Sequence, residues 1–295
     1  MAPGGTGRRL SSPDKAAFGA ALSLEGRHPS SRQMRNNAEW GMTSISRAVF
    51  PALCAGLLLV SGCSFLRPAT VPLATDRTLA SCGVKADTLL VFLPGAYSTI
   101  DEFVREGFVQ EVRQRRIAAD IVMADAHMAY YQQRSVTDRL EADVLAPARA
   151  AGYRAIWLVG ISVGGFGALI HEEQLPGGVT GIVALAPYLG ERQLTQEIDR
   201  AGGLAAWQAP AGPLPLEQME TRLWRWLQGQ AKLPTGAQTL YLGYGTEDRF
   251  ADSHRLLAAA LPSQRVFTTP GGHDWAPWRR LWQQVLAVLP LPTCP

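Results

Sequence analysis

The sequence has few cysteines, no apolar run long enough to span a bilayer as a helix, and no basic excess over most of its length. Only 4 of its 295 residues are cysteine, and its longest apolar stretch, Ala48 to Val60, is shorter than the roughly 20 residues of a spanning helix. Residues 1–62 carry 7 of the 28 Lys and Arg and 3 of the 25 Asp and Glu, which leaves 21 basic and 22 acidic residues from Cys63 onward. This balance, without zinc-finger spacing or a basic repeat, predicts no nucleic-acid partner.

The motifs that bind common cofactors are also missing. No strand-like segment is followed by Gly-x-Gly-x-x-Gly, and the chain has neither a Walker loop nor His-Glu-x-x-His. Because these motifs hold dinucleotides, nucleotide phosphates and zinc, we expect no metal or organic cofactor. The composition, 47% hydrophobic and 18% charged, is that of a globular protein and excludes a wholly disordered, collagen-like or coiled-coil chain.

The pattern of the first 62 residues predicts a targeting segment rather than part of the folded domain. Residues 1–41 are rich in Gly, Ser, Pro, Arg and Asn without apolar periodicity, so we interpret them as a disordered or non-native extension. Residues 42–62 combine a basic residue, the short apolar stretch and small residues, the pattern of a secretory signal peptide. Residues 63–85 then form an anchor and tether, and residues 86–295 the folded domain.

The end of this signal, Leu59-Val60-Ser61-Gly62-Cys63, resembles the lipobox of bacterial lipoproteins. The resemblance implies that Cys63 is lipidated and that the protein is exported and anchored to a membrane of the cell envelope. Since Ser64 is not Asp, it implies the outer membrane facing the periplasm if the host is Gram-negative. The alternative is a short signal anchor with a chance cysteine.

Two cysteines remain, because Cys54 lies in the signal. Cys82 precedes the first strong strand and Cys294 lies beside the C-terminus. In an exported protein two leftover thiols are a candidate disulfide. The alternative is two separate buried thiols.

The folded domain alternates strand-like and helix-like segments. The strand-like segments are unbroken apolar runs without polar alternation, which is typical of strands buried on both faces; they begin near residues 88, 121, 155, 181, 239 and 265. We therefore predict an α/β fold, with a mainly parallel sheet of about six strands and helices on both faces. In such sheets, functional sites form beyond the carboxyl ends of the strands.

One segment, residues 188–236, is longer than a crossover requires and predicts a small helical cap. A helix from about residue 216 to 227 would bury one stripe, with Trp224 off that stripe; the stripe comprises Leu216, Met219, Leu223 and Trp226. The alternative is a helix packed on the sheet face with no part in the site.

The strongest chemical signal is Gly160-Ile161-Ser162-Val163-Gly164, between the third strand and a helix. A nucleophile on a sharp strand-to-helix turn needs small neighbours two positions away on either side. Ser162 would stand at a helix N-terminus, where backbone N–H groups favour developing negative charge. The pattern predicts a nucleophile; the alternative is a tight turn without chemistry.

A serine nucleophile needs a base, and His273 in the glycine-rich loop after the last strand is our candidate. His171 lies too far along the helix that follows Ser162, and His254 is predicted at the surface of an amphipathic helix. His127 follows the second strand and could line the substrate pocket or be structural.

The base needs a carboxylate to hold it, and Asp248 follows the fifth strand. Glu247 is its rival, because a shift of one residue in the loop would exchange them. Asp274 is better explained as a helix N-cap.

An oxyanion hole requires two backbone donors. The N–H of Val163, directly after the nucleophile, is one candidate, and the N–H of Ala96 in the loop after the first strand is the other, with Tyr97 next. Tyr97, His127 and Tyr130 are candidate pocket residues, although aromatic residues at strand ends are as often packing.

The chain resembles the α/β-hydrolase superfamily over about residues 86–290. The resemblance rests on the order Ser162, Asp248, His273, on the glycine-flanked serine and on the stretch Gly271-Gly272-His273-Asp274-Trp275. This last stretch resembles the esterase-D-like branches of the superfamily. The chain departs from the family in having little room for the leading strands of an eight-stranded sheet, and Pro94-Gly95 in place of His-Gly.

The resemblance implies a Ser-Asp-His triad that cleaves carboxylic esters or thioesters through an acyl-enzyme, with a small-molecule or lipid-like acyl substrate. Alternatives are a peptidase or acyltransferase on the same triad, or a catalytically silent, lipid-anchored binding or scaffold protein.

Overall fold

The computed structural model describes residues 67–295, except residue 84 and residues 235–238. The predicted extension, the signal peptide and Cys63 lie outside the described residues.

The described chain alternates strands and helices as the sequence predicts. The seven strands are β1 (Thr75–Thr78), β2 (Thr88–Leu93), β3 (Ala119–Ala124), β4 (Ala155–Ile161), β5 (Gly181–Leu185), β6 (Leu240–Gly245) and β7 (Val266–Thr269). The ten α-helices of the described residues are α1 (Glu102–Arg105), α2 (Phe108–Gln114), α3 (Met128–Gln132), α4 (Val136–Leu140), α5 (Ala146–Ala150), α6 (Val163–Gln174), α7 (Arg192–Arg200), α8 (Met219–Gln230), α9 (Ala251–Ala258) and α10 (Trp275–Leu286). A π-helical turn, Glu141–Leu145, joins α4 to α5.

The strands form one sheet in the order β1-β3-β2-β4-β5-β6-β7, in which only β1 is antiparallel to its neighbour. The predicted α/β fold with a mainly parallel sheet is confirmed, and the six strands predicted from apolar runs are all present. The seventh strand, β1, lies within residues 63–85, where the sequence predicted a tether, and it pairs with β3. It was missed because its residues are polar and mostly exposed, so it has no apolar run.

Both faces of the sheet are buried because its central strands are almost entirely apolar. In β2 all six residues are buried, and alternate side chains enter two separate cores. Leu89, Val91 and Leu93 pack with the face that carries α3 to α9, whereas Leu90 and Phe92 pack with the face that carries α1, α2 and α10. Strand periodicity of two residues thus divides one apolar run between two helical layers.

Aromatic packing anchors α10, the helix that follows the loop of His273. The rings of Phe108 and Trp282 stack with centroids 5.6 Å apart, and the indole N–H of Trp282 donates to the Phe108 carbonyl at 3.1 Å. Phe92 packs edge-on against Trp282 at 5.7 Å. This cluster ties α10 to α2 and to the central strand β2.

In the predicted cap segment, α8 packs against α6. Arg222 of α8 forms a two-pronged ion pair with Glu173 of α6, at 2.8 Å to each carboxylate oxygen. The predicted apolar stripe is wrong at its start, since Leu216 is exposed, and the buried face is Leu223, Trp224 and Leu227. Trp224 is fully buried, and its indole N–H keeps a hydrogen-bond partner there by donating to the Leu189 carbonyl at 2.7 Å.

Cys82 and Cys294 form a disulfide with Cα atoms 5.1 Å apart. The bond ties the segment after β1 to the C-terminus across 212 residues of sequence. The C-terminal segment also donates from Cys294 N–H to the Arg116 carbonyl at 2.6 Å and accepts from Ala118 N–H at the Pro292 carbonyl at 2.8 Å. The link therefore fastens both ends of the domain beside the α2–β3 loop.

Replacing both cysteines, Cys82→Ser with Cys294→Ser, should lower the free energy of unfolding by about 2–5 kcal/mol, because the unfolded chain regains the entropy that a long closed loop removes. Urea unfolding of the double variant measures the loss. The wild-type protein in reductant is the control and should lose a similar amount. An unchanged unfolding midpoint in both samples would contradict this prediction.

Candidate active site

Ser162 occupies a strained turn that only its glycine neighbours allow. Its φ is 55°, and it joins the last residue of β4 to the first residue of α6. A Cβ on Gly160 would overlap the Gly164 carbonyl, and a Cβ on Gly164 would overlap the Leu93 carbonyl. The glycine pattern that predicted a nucleophile is therefore a steric requirement of this close approach.

Hydrogen bonds on both sides hold the turn. Ser162 N–H donates to the Leu185 carbonyl at 2.9 Å, and the Ser162 carbonyl accepts from Phe166 N–H at 3.1 Å and from Tyr188 N–H at 3.0 Å. The serine backbone is thus fixed by α6 and by the end of β5.

Ser162, His273 and Asp248 come together in one chain of hydrogen bonds. His273 Nε2 lies 2.9 Å from Ser162 Oγ, and His273 Nδ1 lies 2.7 Å from Asp248 Oδ2. Because an ionised carboxylate only accepts, Nδ1 of the neutral imidazole carries the proton and Nε2 is left to accept the serine hydroxyl. Ser162 and Asp248 are buried.

The environment of Asp248 favours its ionised form. Burial alone would raise the pKa of this carboxyl, but hydrogen bonds from His273 and from Phe250 N–H, the latter at 2.8 Å, hold the pKa below its usual value. Asp248 therefore stays charged at neutral pH and can stabilise a protonated imidazole.

Neither rival carboxylate takes this place. Glu247 is exposed, and its N–H donates to the Gly271 carbonyl at 3.0 Å. Asp274 caps α10 by accepting from Ala276 N–H at 3.0 Å, as its interpretation as an N-cap predicts.

Two aromatic rings that the sequence did not single out flank the imidazole of His273. Phe250 and Trp278 each place a ring centroid 5.1 Å from it, at interplanar angles of 90° and 87°. The available signal was position: Phe250 lies two residues after Asp248, and Trp278 lies in the first turns of the helix that follows His273. Both rings restrict the rotation of the imidazole.

The candidate oxyanion donors lie next to Ser162 in the chain or in space. Val163 is the first residue of α6, so its N–H has no acceptor within the helix. The loop of Ala96 passes close by, because a Cβ on Gly95 would lie 3.6 Å from Ser162 Cβ. The Gly95 carbonyl accepts from Ser98 N–H at 3.1 Å, which turns this loop.

The three candidate pocket residues have different surroundings. Tyr97, in the same loop as Ala96, is 79% exposed. His127 is buried as the N-cap of α3, where Nδ1 accepts from Ala129 N–H at 3.4 Å, and its ring packs 4.8 Å from that of Tyr130. Tyr130 is buried and its hydroxyl donates to the Thr70 carbonyl at 3.0 Å. For His127 and Tyr130 these are the contacts of the packing alternative.

The prediction that His254 lies at the surface is wrong. The side chain is fully buried, and Nε2 donates to the Pro187 carbonyl at 2.8 Å. Nδ1 has no hydrogen-bond partner among the described residues, and burial lowers the pKa of His254 to about 4. Because Pro187 precedes the residue that donates to Ser162, this bond ties α9 to the loop behind the serine.

In the part of the chain that the structure describes, no group of three or more His, Cys, Asp or Glu side chains is arranged so that it could hold a metal ion. The chemistry that this edge offers is that of the hydroxyl, imidazole and carboxylate groups.

Comparison with known proteins gives similarity of fold at low sequence identity. No protein-family model and no curated protein matches the sequence. An S-formylglutathione hydrolase from Staphylococcus aureus is 14% identical, over 68% of this chain and 80% of that chain, with a TM-score of 0.44. A ferulic acid esterase is 15% identical, over 72% of this chain and 95% of that chain, with a TM-score of 0.48. A predicted hydrolase from Thermoplasma acidophilum is 14% identical, over 74% of this chain and 100% of that chain, with a TM-score of 0.46.

The buried His254 should make the protein less stable in acid. The unfolded chain takes up a proton at this side chain near pH 6.5, whereas the folded chain takes it up only near pH 4, so the free energy of unfolding falls as the pH drops between these values. The contribution of this residue is about 3 kcal/mol across the window.

Urea unfolding at pH 7 and pH 4.5 measures this effect, with His254→Gln as the matched variant, since its amide can still donate to the Pro187 carbonyl. The variant should lose less stability than the wild type over this interval, because other acid-sensitive groups are common to both proteins. Equal losses would mean that His254 titrates normally.

Proposed function

We propose that the protein is a serine hydrolase that cleaves carboxylic ester or thioester bonds through an acyl-enzyme, with Ser162 as nucleophile, His273 as base and Asp248 as the acid that holds the base. The observation that carries the proposal is the continuous chain from Ser162 Oγ through both imidazole nitrogens to Asp248 Oδ2, at 2.9 and 2.7 Å. A triad is recognised by this geometry and these roles, whatever the order of the residues in the chain.

The first half of the reaction acylates the serine. Ser162 Oγ attacks the carbonyl carbon of the substrate while its proton passes to His273 Nε2, and a tetrahedral oxyanion forms. Asp248, ionised and hydrogen-bonded to Nδ1, stabilises the imidazolium. The C–O or C–S bond then breaks as Nε2 returns the proton to the leaving alcohol or thiol.

The second half releases the acid. Water gives a proton to His273 Nε2 and attacks the acyl carbon, and the bond to Ser162 Oγ breaks as the serine recovers its proton. We assign the oxyanion to the N–H groups of Val163 and Ala96. The N-terminus of α6 supports this assignment, because unpaired helix N–H groups and the helix dipole favour negative charge there.

Ser162→Ala and His273→Ala should each lower kcat for p-nitrophenyl esters by about 10⁴- to 10⁶-fold, since triad residues act as a unit. Fluorophosphonate labelling of the wild type should also disappear in Ser162→Ala. Ser263→Ala, at an exposed serine, is the matched control and should keep labelling and turnover. A folded wild-type chain that never labels would favour the silent binding protein.

A substrate panel separates the enzymes that share this triad. We expect p-nitrophenyl esters and acyl-thioesters to be cleaved faster than aminoacyl amides, because an amine is a poorer leaving group than an alcohol or a thiol. Faster turnover of amides would instead indicate a peptidase, and transfer of the acyl group to an added alcohol in preference to water would indicate an acyltransferase.

We also propose that the protein is exported and held at a membrane of the cell envelope by lipid on Cys63. The sequence pattern around Cys63 supports this proposal. Within residues 67–83, 85–234 and 239–295, no helix is long and apolar enough to cross a membrane.

In a bacterial host that processes lipoproteins, the protein should incorporate a clickable palmitate analogue and sediment with membranes. Cys63→Ser should lose both properties, because the thiol is the acceptor of the lipid. The matched control is Cys54→Ser, within the signal, which should retain the label. Labelling that survives in Cys63→Ser would contradict the lipid site.

A further inference from the structure

A groove of about 800 Å³ runs between α7 and α9. Each helix contributes one stripe of residues at positions i, i+3, i+4 and i+7, the spacing of a single helix face. The stripe of α7 comprises Arg192, Thr195, Gln196 and Asp199, and the stripe of α9 with its C-cap comprises Asp252, Arg255, Leu256 and Ala259.

The inner end of this groove lies one aromatic ring away from the triad. Tyr188 and Phe250 line that end, and their rings pack 5.8 Å apart. Phe250 presents its ring to His273 at 5.1 Å, and Tyr188 N–H donates to the Ser162 carbonyl at 3.0 Å. Tyr188 and Phe250 therefore stand between the triad and the groove, and each contacts both.

The groove combines an apolar wall with a charged rim. Tyr188, Phe250, Leu256 and Ala259 supply aromatic and aliphatic surface along its length. Charged groups near this wall are engaged locally: Arg255 pairs with Asp252, and the guanidinium of Arg249 lies 4.8 Å from the centroid of the Phe250 ring. All the charged residues that line the groove are exposed, so the wall can take an alkyl chain without burying a charge.

We propose that the α7–α9 groove binds the acyl chain of the substrate and that the substrates are medium- to long-chain acyl esters. This inference rests on the proposed hydrolase function. A cavity of this size holds a ligand of drug-like dimensions, far larger than an acetyl group. The helix rise places Ala259 about 13 Å beyond Phe250 along α9, a length that only a long acyl chain can follow.

The wild-type protein should show a rise of kcat/KM with chain length across p-nitrophenyl acetate, butyrate, octanoate and dodecanoate. Each methylene buried against the wall should contribute up to about fourfold, the ratio that corresponds to its transfer free energy. A kcat/KM that is flat or falls along this series would overturn the inference.

Two tryptophan substitutions then test where the chain lies. Ala259→Trp should block the outer end and lower kcat/KM for dodecanoate at least tenfold, while acetate and octanoate stay within about twofold. Leu256→Trp, one turn nearer the triad, should shorten the longest chain that the groove accepts, so that kcat/KM for octanoate falls as well. Ala150→Trp, at an exposed alanine that ends α5, is the matched control and should change none of these values.

The groove assignment is overturned if kcat/KM for acetate and kcat/KM for dodecanoate fall by the same factor in both groove variants, or if neither falls in either variant. The rate of labelling of the wild type by fluorophosphonates with methyl and dodecyl chains gives a second measurement that depends on no variant, and equal rates would count against the groove. Hydrolysis of acetate that depends on Ser162 separates the two proposals. If it persists while chain-length selectivity is absent, the hydrolase function stands and the groove assignment fails.

Discussion

The close approach of α6 to the ends of β2 and β4 is the constraint on which the site depends. Without side chains at Gly160 and Gly164, the helix can begin against the Leu93 carbonyl, and the chain between must bend through a residue with φ of 55°. Such strain costs about 1–3 kcal/mol, which the bonds of Ser162 to Leu185, Phe166 and Tyr188 offset. The same contact brings the loop after β2 beside the serine.

The other two members of the triad are positioned by the mutual packing of their loops. Thr246 N–H donates to the Thr269 carbonyl at 2.9 Å, and a Cβ on Gly245 would overlap the Gly271 carbonyl, so the chains after β6 and β7 run in contact. The loops that carry Asp248 and His273 are therefore positioned against each other. Since α10 is anchored through Trp282 to the core on its own side of the sheet, the loop of His273 is fixed at both ends, and the proposed mechanism needs an imidazole positioned in advance in this way.

Sequence reasoning succeeded where a local pattern has one physical solution. Apolar runs predicted six of the seven strands, and the rule that sites lie beyond the carboxyl ends of parallel strands was enough to expect Ser162, Asp248 and His273 at one edge. It failed for β1, a polar edge strand, and for Trp224 and His254. The burial of these two side chains depends on the carbonyls of Leu189 and Pro187, which accept their N–H groups. Both carbonyls are distant in sequence and become acceptors only when the fold brings them near.

The two faces of helix α9 have different surroundings. Its buried face carries His254 and Leu257, and the bond from His254 to the Pro187 carbonyl supports the loop behind Ser162. Its outer face carries Leu256 and, at the C-cap, Ala259, which lie along the groove. Because these faces point in different directions on one rigid helix, residues of the outer face can change size with little effect on the triad. If the groove holds the acyl chain, chain-length preference can vary independently of the chemical step.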